Sequence, residues 1–421
     1  MMYIRNNGTF KRILFRSVLV VCLFFLGCKD KSVDHYNRGC IYAEKGEHDR
    51  AVSEFTKAIE INPRLAEAYS NRGNIYLAKG QLDKAILDFN KAIEIDPGYA
   101  EAYCNRASLY NAKGEYDLAI SDLNKSIEIN PRYAEAYNNR GSAYDVKGEY
   151  DLAISNFNKA IEIDPTNAEA YCNRGNAYNH NGEYITAISD FNKSIEIDPG
   201  YAEAYNNRGL AYAKKGQFEQ AISDYTKAVE INPSFAVAFS NRGSAYNFKG
   251  EYDQAILDYT KALEINPRLV AAYINRGSAY NAKGKYDQTI SDYNKAIEIN
   301  PSFAVVYNNR GLAYANKKQY DQAILDYTKT IEIDPRFAVA YVNRGSAYYA
   351  KGEYDQAILD FTKAIEIDPG YAKSYNNRGI VYYNKGEYDK AWEDVRKTQS
   401  LGQQVTPGFL KELRDASGKE R

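Results

Sequence analysis

One interval, 34 residues, governs this chain. The tripeptide Asn-Arg-Gly closes on Gly39, Gly73, Gly141, Gly175, Gly209, Gly243, Gly277, Gly311, Gly345 and Gly379, and Ala107 fills the one missing place. Prolines keep the same spacing, from Pro63 and Pro97 through Pro335 and Pro369, with only Pro407 out of register. Length alone would allow 421 residues two or three globular domains. A strict repeat this short reads differently, because one copy cannot bury an apolar face until a neighbour stacks on it. With the recurring glycine placed at slot 8, the array runs over eleven repeats, 32–65, 66–99 and on to 372–405.

Each repeat spells a helical hairpin. In the second, Gly80 at slot 15 breaks the first helix, Asp83 brings negative charge to the start of the next, and Pro97 stops it for want of an N–H donor. Slots 4, 8, 11, 20, 24, 27 and 32 hold Tyr69, Gly73, Tyr76, Ala85, Phe89, Ala92 and Pro97. Small residues let helices approach and large rings fill what is left. This pattern resembles the tetratricopeptide repeat, with Tyr for the usual Trp at slot 4 and Arg72 where that family has Leu at slot 7. The resemblance implies an all-α fold: antiparallel helix pairs stacked as a right-handed superhelical solenoid, with a concave groove that takes extended peptides or partner helices.

The arginine at slot 7 recurs from Arg38 to Arg378 and falls among the aromatic columns, where an unpaired guanidinium would be costly. A hairpin folded about slot 15 sets slot 7 opposite slot 23. That slot holds Glu54, Asp88, Asp122, Asn156, Asp190, Asp224, Asp258, Asp292, Asp326, Asp360 and Asp394. An Arg–Asp strut inside each hairpin is therefore expected.

The 3.6-residue period puts slots 3, 4, 7, 8, 10, 11 and 14 of the first helix on its buried side and slots 2, 5, 6, 9, 12 and 13 on the side that lines the groove in the family. Slot 6 is Asn in every copy, including Asn71, Asn105, Asn139, Asn173, Asn207, Asn241, Asn275, Asn309 and Asn343. A carboxamide donates and accepts, so such a row can pair with a peptide backbone of any sequence, and it resembles the asparagine ladder of peptide-gripping relatives. Recent duplication explains the same uniformity without a ligand. Slot 2 does change. It is Glu67, Glu101, Glu135, Glu169 and Glu203, then Val237, Ala271, Val305 and Val339, then Lys373. These positions suggest an extended ligand, basic toward one end and apolar toward the other; freely drifting solvated faces are the alternative.

The remaining signals are mostly exclusions. With 54 basic and 55 acidic residues interspersed, there is no basic block, and nucleic acid is not an expected partner. Five Cys and three His are too scattered for a disulfide framework or a metal site, no nucleophile pairs with a His, and every glycine within the array has a packing or turn position, which leaves no phosphate loop. No enzyme activity, cofactor, metal or small-molecule substrate is expected.

The two ends stand apart from the array. Arg5, Lys11, Arg12 and Arg16 precede a mainly apolar run, Ser17 to Gly27, too short to span a membrane, which has the anatomy of a secretory signal. Phe25-Leu26-Gly27-Cys28 resembles a bacterial lipobox, with Phe and Leu as mild departures, and implies lipidation at Cys28. An ordinary signal peptide with an incidental Cys is the alternative. The expected organisation is a signal segment 1–28, a linker 29–31, repeats 32–405, and a capping helix from Pro407 to Ala416 within a tail, 406–421. His35 and His48 in the first repeat, and Trp392, Val395 and Gln399 in the last, depart from the other copies as end repeats should.

The expectation is a lipid-anchored scaffold of the bacterial cell envelope, at the outer membrane or the periplasmic face, gathering other proteins through its groove. A structural spacer or self-assembling element, and an accessory module for a separate transferase or secretion machine, are the alternatives.

Overall fold

The computed structural model describes residues 30–418. They form 23 α-helices and no strand among the described residues, 20 of them paired into ten antiparallel hairpins. In the fifth hairpin, Ala168–His180 is followed by Tyr184–Ile197. The expected signal segment and Cys28 lie outside the described residues. The expected linker is partly absorbed, since Asp30 caps the first helix by accepting from the Ser32 amide and the helix begins at Lys31.

Local chemistry sets the hairpin. The slot-15 residue turns the chain with positive φ, as at Gly114 (78°), and the next amide, Glu115, donates back to the Tyr110 carbonyl, which closes the helix end. Lys318 occupies this left-handed position in the ninth repeat, at φ 60°, where an L side chain is strained. The second turn is tied by slot 31, where Asp96 Oδ1 accepts from the Gly98 amide and Asn130 Oδ1 from the Arg132 amide.

Slot 8 is glycine because a ring lies on it. A Cβ built at Gly175 would stand 2.7 Å from Phe191 Cε1, and one at Gly73 2.7 Å from Phe89 Cε1. The exceptions obey the same rule. Ala107 faces Leu123 rather than a ring, and both are fully buried. In the last repeat the slot-24 residue is Val395, and a Cβ at Gly379 would approach nothing nearer than 3.3 Å.

Packing groups the chain into two units, one ending at Lys215 and the other starting at Gly216. Each holds a continuous layer of alanines and rings. Ala187, Phe191, Tyr201 and Ala204 belong to it in the first unit, and Ala255, Tyr259, Ala262 and Ala272 in the second. The second unit ends as the sequence leads one to expect. Helix Pro407–Ser417 covers Trp392 and Val395 with Leu413, Phe409 and Leu410, and Trp392 Nε1 donates to Ser417 Oγ at 3.0 Å.

The slot-7 struts are present and reach further than expected. Arg72 donates from Nε and Nη2 to both carboxylate oxygens of Asp88 at 2.8 Å, and from Nη1 to Thr56 Oγ1 of the preceding repeat at 3.0 Å. The same three-point grip recurs at Arg106, Arg174, Arg242, Arg276, Arg310, Arg344 and Arg378. One arginine thus locks its own hairpin and bolts it to its neighbour. Slot 14, assigned above to the buried side, is instead a lysine in every repeat but the fifth, at the surface, and pairs with the slot-18 acid one repeat back in Lys147–Asp117 (2.8 Å) and Lys351–Asp321 (2.7 Å). A long ammonium side chain keeps its head in water at a helix end.

Candidate peptide-binding wall

Within each unit, first helices of consecutive repeats pack on one another, a contact that second helices do not make to the same extent. First helices therefore lie on the tighter, inner side of the stack. Their wall-facing slots divide by depth. Slot 5, expected to face the groove, is buried between consecutive first helices. Ser70, Cys104 and Cys172 there are almost wholly inaccessible. The three described cysteines, Cys40, Cys104 and Cys172, are buried.

The slot-6 asparagines close this seam. Asn105 Nδ2 donates to Ser70 Oγ at 3.1 Å, Asn139 Nδ2 to Cys104 Sγ (3.5 Å) and Ser108 Oγ (3.3 Å), and Asn173 Nδ2 to Asn138 Oδ1 at 3.2 Å. Asn71 reaches Tyr36 Oη and Cys40 Sγ, Asn207 reaches Cys172 Sγ, Asn275 reaches Ser244 Oγ, and Asn343 reaches Asn308 Oδ1. Asn309 accepts from Asn308, and Asn241 is also engaged. Each donating carboxamide spends N–H on the repeat before it, and Asn71 and Asn139 each reach two acceptors there. The row thus has a structural task of its own.

The slot-2 glutamates form the outer layer of the first unit's wall. Glu67 is exposed, and Glu101, Glu135, Glu169 and Glu203 are half-buried. Two are held by tyrosines at slot 34, two residues earlier. Tyr99 Oη donates to Glu101 Oε2 and Tyr133 Oη to Glu135 Oε2, each at 3.3 Å, while Asn138 Nδ2 donates to Glu169 Oε1 at 3.3 Å. The carboxylates also sense one another. Burial, then repulsion from Glu169 and Glu101, pushes Glu135 up to about 7 despite the Tyr133 hydroxyl. Burial and Glu67 likewise raise Glu101, against hydrogen bonds from Tyr99 and Asn105. The side chain remains partly open to solvent, but the protein surrounding a concave floor desolvates it more than its exposure suggests.

Sequence reasoning found the glutamates but missed their partners. The signal was present: Tyr-x-Glu occurs at 99/101, 133/135 and 201/203, whereas the second unit has Phe-x-Val at 235/237, 303/305 and 337/339. The hydroxyl and the carboxylate leave together. In that unit Val305 and Val339 stand exposed.

Among the described residues, no group of three or more His, Cys, Asp or Glu side chains could hold a metal ion, and no helix is long and apolar enough to cross a membrane. Stacked hairpins with a polar and aromatic inner wall define a solenoid of the protein-interaction class. The chain belongs to the tetratricopeptide repeat family. It matches the tetratricopeptide repeat over 66–99, 100–133, 202–235, 236–269, 304–337, 123–155 and 326–358, and the TPR repeat over 39–80, 147–182, 175–216, 277–318 and 345–386. Proteins of this family bind other proteins or peptides. No curated protein matches the chain significantly. Among solved structures, that of MamA is 30% identical over 39% of this chain and 96% of its own, with a TM-score of 0.37. YrrB, described as a TPR protein with an unusual peptide-binding site, is 28% identical over 44% and 95%, with a TM-score of 0.34. The Cut9-Hcn1 structure is 14% identical over 92% and 96%, with a TM-score of 0.47.

Proposed function

We propose that the protein is a non-enzymatic adaptor whose first unit grips an extended segment rich in Lys or Arg along Glu67, Glu101, Glu135, Glu169 and Glu203. The observation that carries this reading is the row of five slot-2 glutamates along one wall, where burial and two neighbouring carboxylates oppose the ionisation of Glu135. A cation laid along the wall relieves that repulsion. The half-buried asparagines Asn173 and Asn207 each donate to one acceptor, and their remaining N–H would serve a peptide backbone. Ion pairs at half-exposed sites contribute modestly one by one, roughly 0.2–1 kcal/mol each, so affinity comes from the row and falls as salt screens it.

Fluorescence anisotropy with extended 12-residue peptides tests this. Basic peptides bind more tightly than neutral or acidic ones, and added salt weakens them; equal binding of all three sets removes the reading. The same proposal puts the array at the bacterial envelope through a lipid on Cys28, on the strength of the lipobox-like run alone. Intact-mass analysis of the membrane fraction should find a diacylglyceryl group that Cys28→Ala abolishes. An unmodified Cys28, in precursor or cleaved form, refutes the anchor.

A further inference from the structure

The fourth repeat, residues 134–167, breaks the strut pattern at one atom pair. In eight repeats the arginine Nε and Nη2 share the two oxygens of an aspartate, as Arg174 does with Asp190 at 2.7 and 2.6 Å. Arg140 meets Asn156 instead. Its Nε donates to Asn156 Oδ1 at 2.7 Å and its Nη1 to Asn124 Oδ1 at 2.7 Å. Asn156 turns its own Nδ2 away, to the Leu152 carbonyl at 2.7 Å. Nη2 is left with no acceptor among the described residues, and the guanidinium has no carboxylate beside it.

Two further features coincide there. Burial pushes Arg140 below the ordinary arginine range, whereas at Arg106 and Arg174 an aspartate raises it. An open pocket of about 420 Å³ also lies at this point, lined by Tyr137, Arg140, Ser155, Asn156 and Lys159. Glu162 borders it and pairs with Lys159 at 2.7 Å, an exposed i,i+3 contact that is weak and readily exchanged. Arg140, Lys159 and Glu162 together leave one positive charge unbalanced, with a hydroxyl and amides around it.

We propose that this pocket binds a small oxyanion, a carboxylate or a phosphate, which gives Arg140 Nη2 and Lys159 Nζ the negative charge that an aspartate supplies in the sister repeats. The anion makes charge-assisted hydrogen bonds to both cations, and Ser155 Oγ donates a further one. None of the slot-2 or slot-6 side chains lines the pocket, so the site is separate from the peptide wall and stands or falls without it.

The neighbouring repeats supply the test, because Asn156→Asp restores their pattern and fills the site from within. The full chain is titrated calorimetrically with inorganic phosphate, and separately with acetate, at ionic strength held constant with chloride. Wild-type protein is expected to bind one anion per chain saturably. Phosphate alone would assign a phosphoryl ligand, and acetate alone a carboxylate. Loss of the charge-assisted contact to Arg140 costs roughly tenfold or more in affinity, and both Asn156→Asp and Arg140→Gln should show it. The proposal is overturned if neither anion saturates the wild-type chain, or if Asn156→Asp binds as the wild type does.

Discussion

Replacing Gly175 by Ala puts the packing logic of the whole array to a quantitative test. The added Cβ falls 2.7 Å from Phe191 Cε1, and 3.0 and 3.1 Å from Cδ1 and Cζ, so the ring must move by more than half an ångström. It has nowhere to go, being fully buried among Cys172, Ala187, Tyr201 and Ala204. Overpacking of this kind costs about 1–3 kcal/mol. Alanine's better helix propensity returns up to about 1 kcal/mol, which leaves a net loss of roughly 1–2 kcal/mol. Phe191→Leu alone also destabilises, by about 1 kcal/mol or more, because it opens a void. Together they recreate the Ala107–Leu123 combination of the third repeat, and the double variant should be more stable than the sum of the two losses by about 1 kcal/mol. A long repeat array need not unfold in one step, so local hydrogen exchange over residues 168–201 is the appropriate readout beside chemical denaturation. Strict additivity, or a Gly175→Ala chain as protected as the wild type, would refute the reasoning.

Three other outcomes follow from named contacts. Asp292→Ala leaves the Arg276 guanidinium without its two-oxygen partner, and a broken pair this buried costs about 3 kcal/mol; exchange should rise in the eighth repeat and in the seventh, where Thr260 shares that arginine. Lys318→Gly relieves a left-handed backbone and should stabilise by roughly 1 kcal/mol in urea denaturation, whereas Gly284→Ala, at the same slot one repeat earlier, should lose a similar amount. Glu135 has a folded-state value raised from 4.5 to about 7, so the folded chain holds its proton longer than the unfolded one and stability falls as pH rises through that window. Glu135→Gln should match the wild type near pH 4.5 and exceed it by up to roughly 3 kcal/mol at pH 8; an equal difference at both pH values would show that ionisation is not the cause.

The hairpin, its recurrence along the chain and the Arg–Asp strut were legible because each depends on spacing within a 34-residue period. Contacts between repeats were harder to read. Arg72 to Thr56, Lys147 to Asp117 and Asn105 to Ser70 each join one repeat to the one before, and the helical wheel of a single helix carries no information about that neighbour. The same blindness put slot 5 in the groove and slot 14 in the core, when the stacked neighbour buries the first and leaves the second at an exposed helix end. A column of Thr or Asn at slot 25, from Thr56 to Thr362, was the available clue to the inter-repeat bolts. On the wall, Glu135 was visible as a letter, but its coupling to Glu101 and Glu169 requires knowing that consecutive first helices lie side by side.

The wall's charge is the centre of the functional account, and reversing it is the most direct measurement. Anisotropy titrations of matched basic and acidic 12-residue peptides should be run on the wild-type chain and on the combined Glu101→Lys, Glu135→Lys, Glu169→Lys variant, with the corresponding Gln variant as a neutral step. The wild type should prefer the basic peptide, the Gln variant bind both weakly, and the Lys variant prefer the acidic one. Undiminished binding of the basic peptide by the folded Lys variant would contradict that role for the wall's charge.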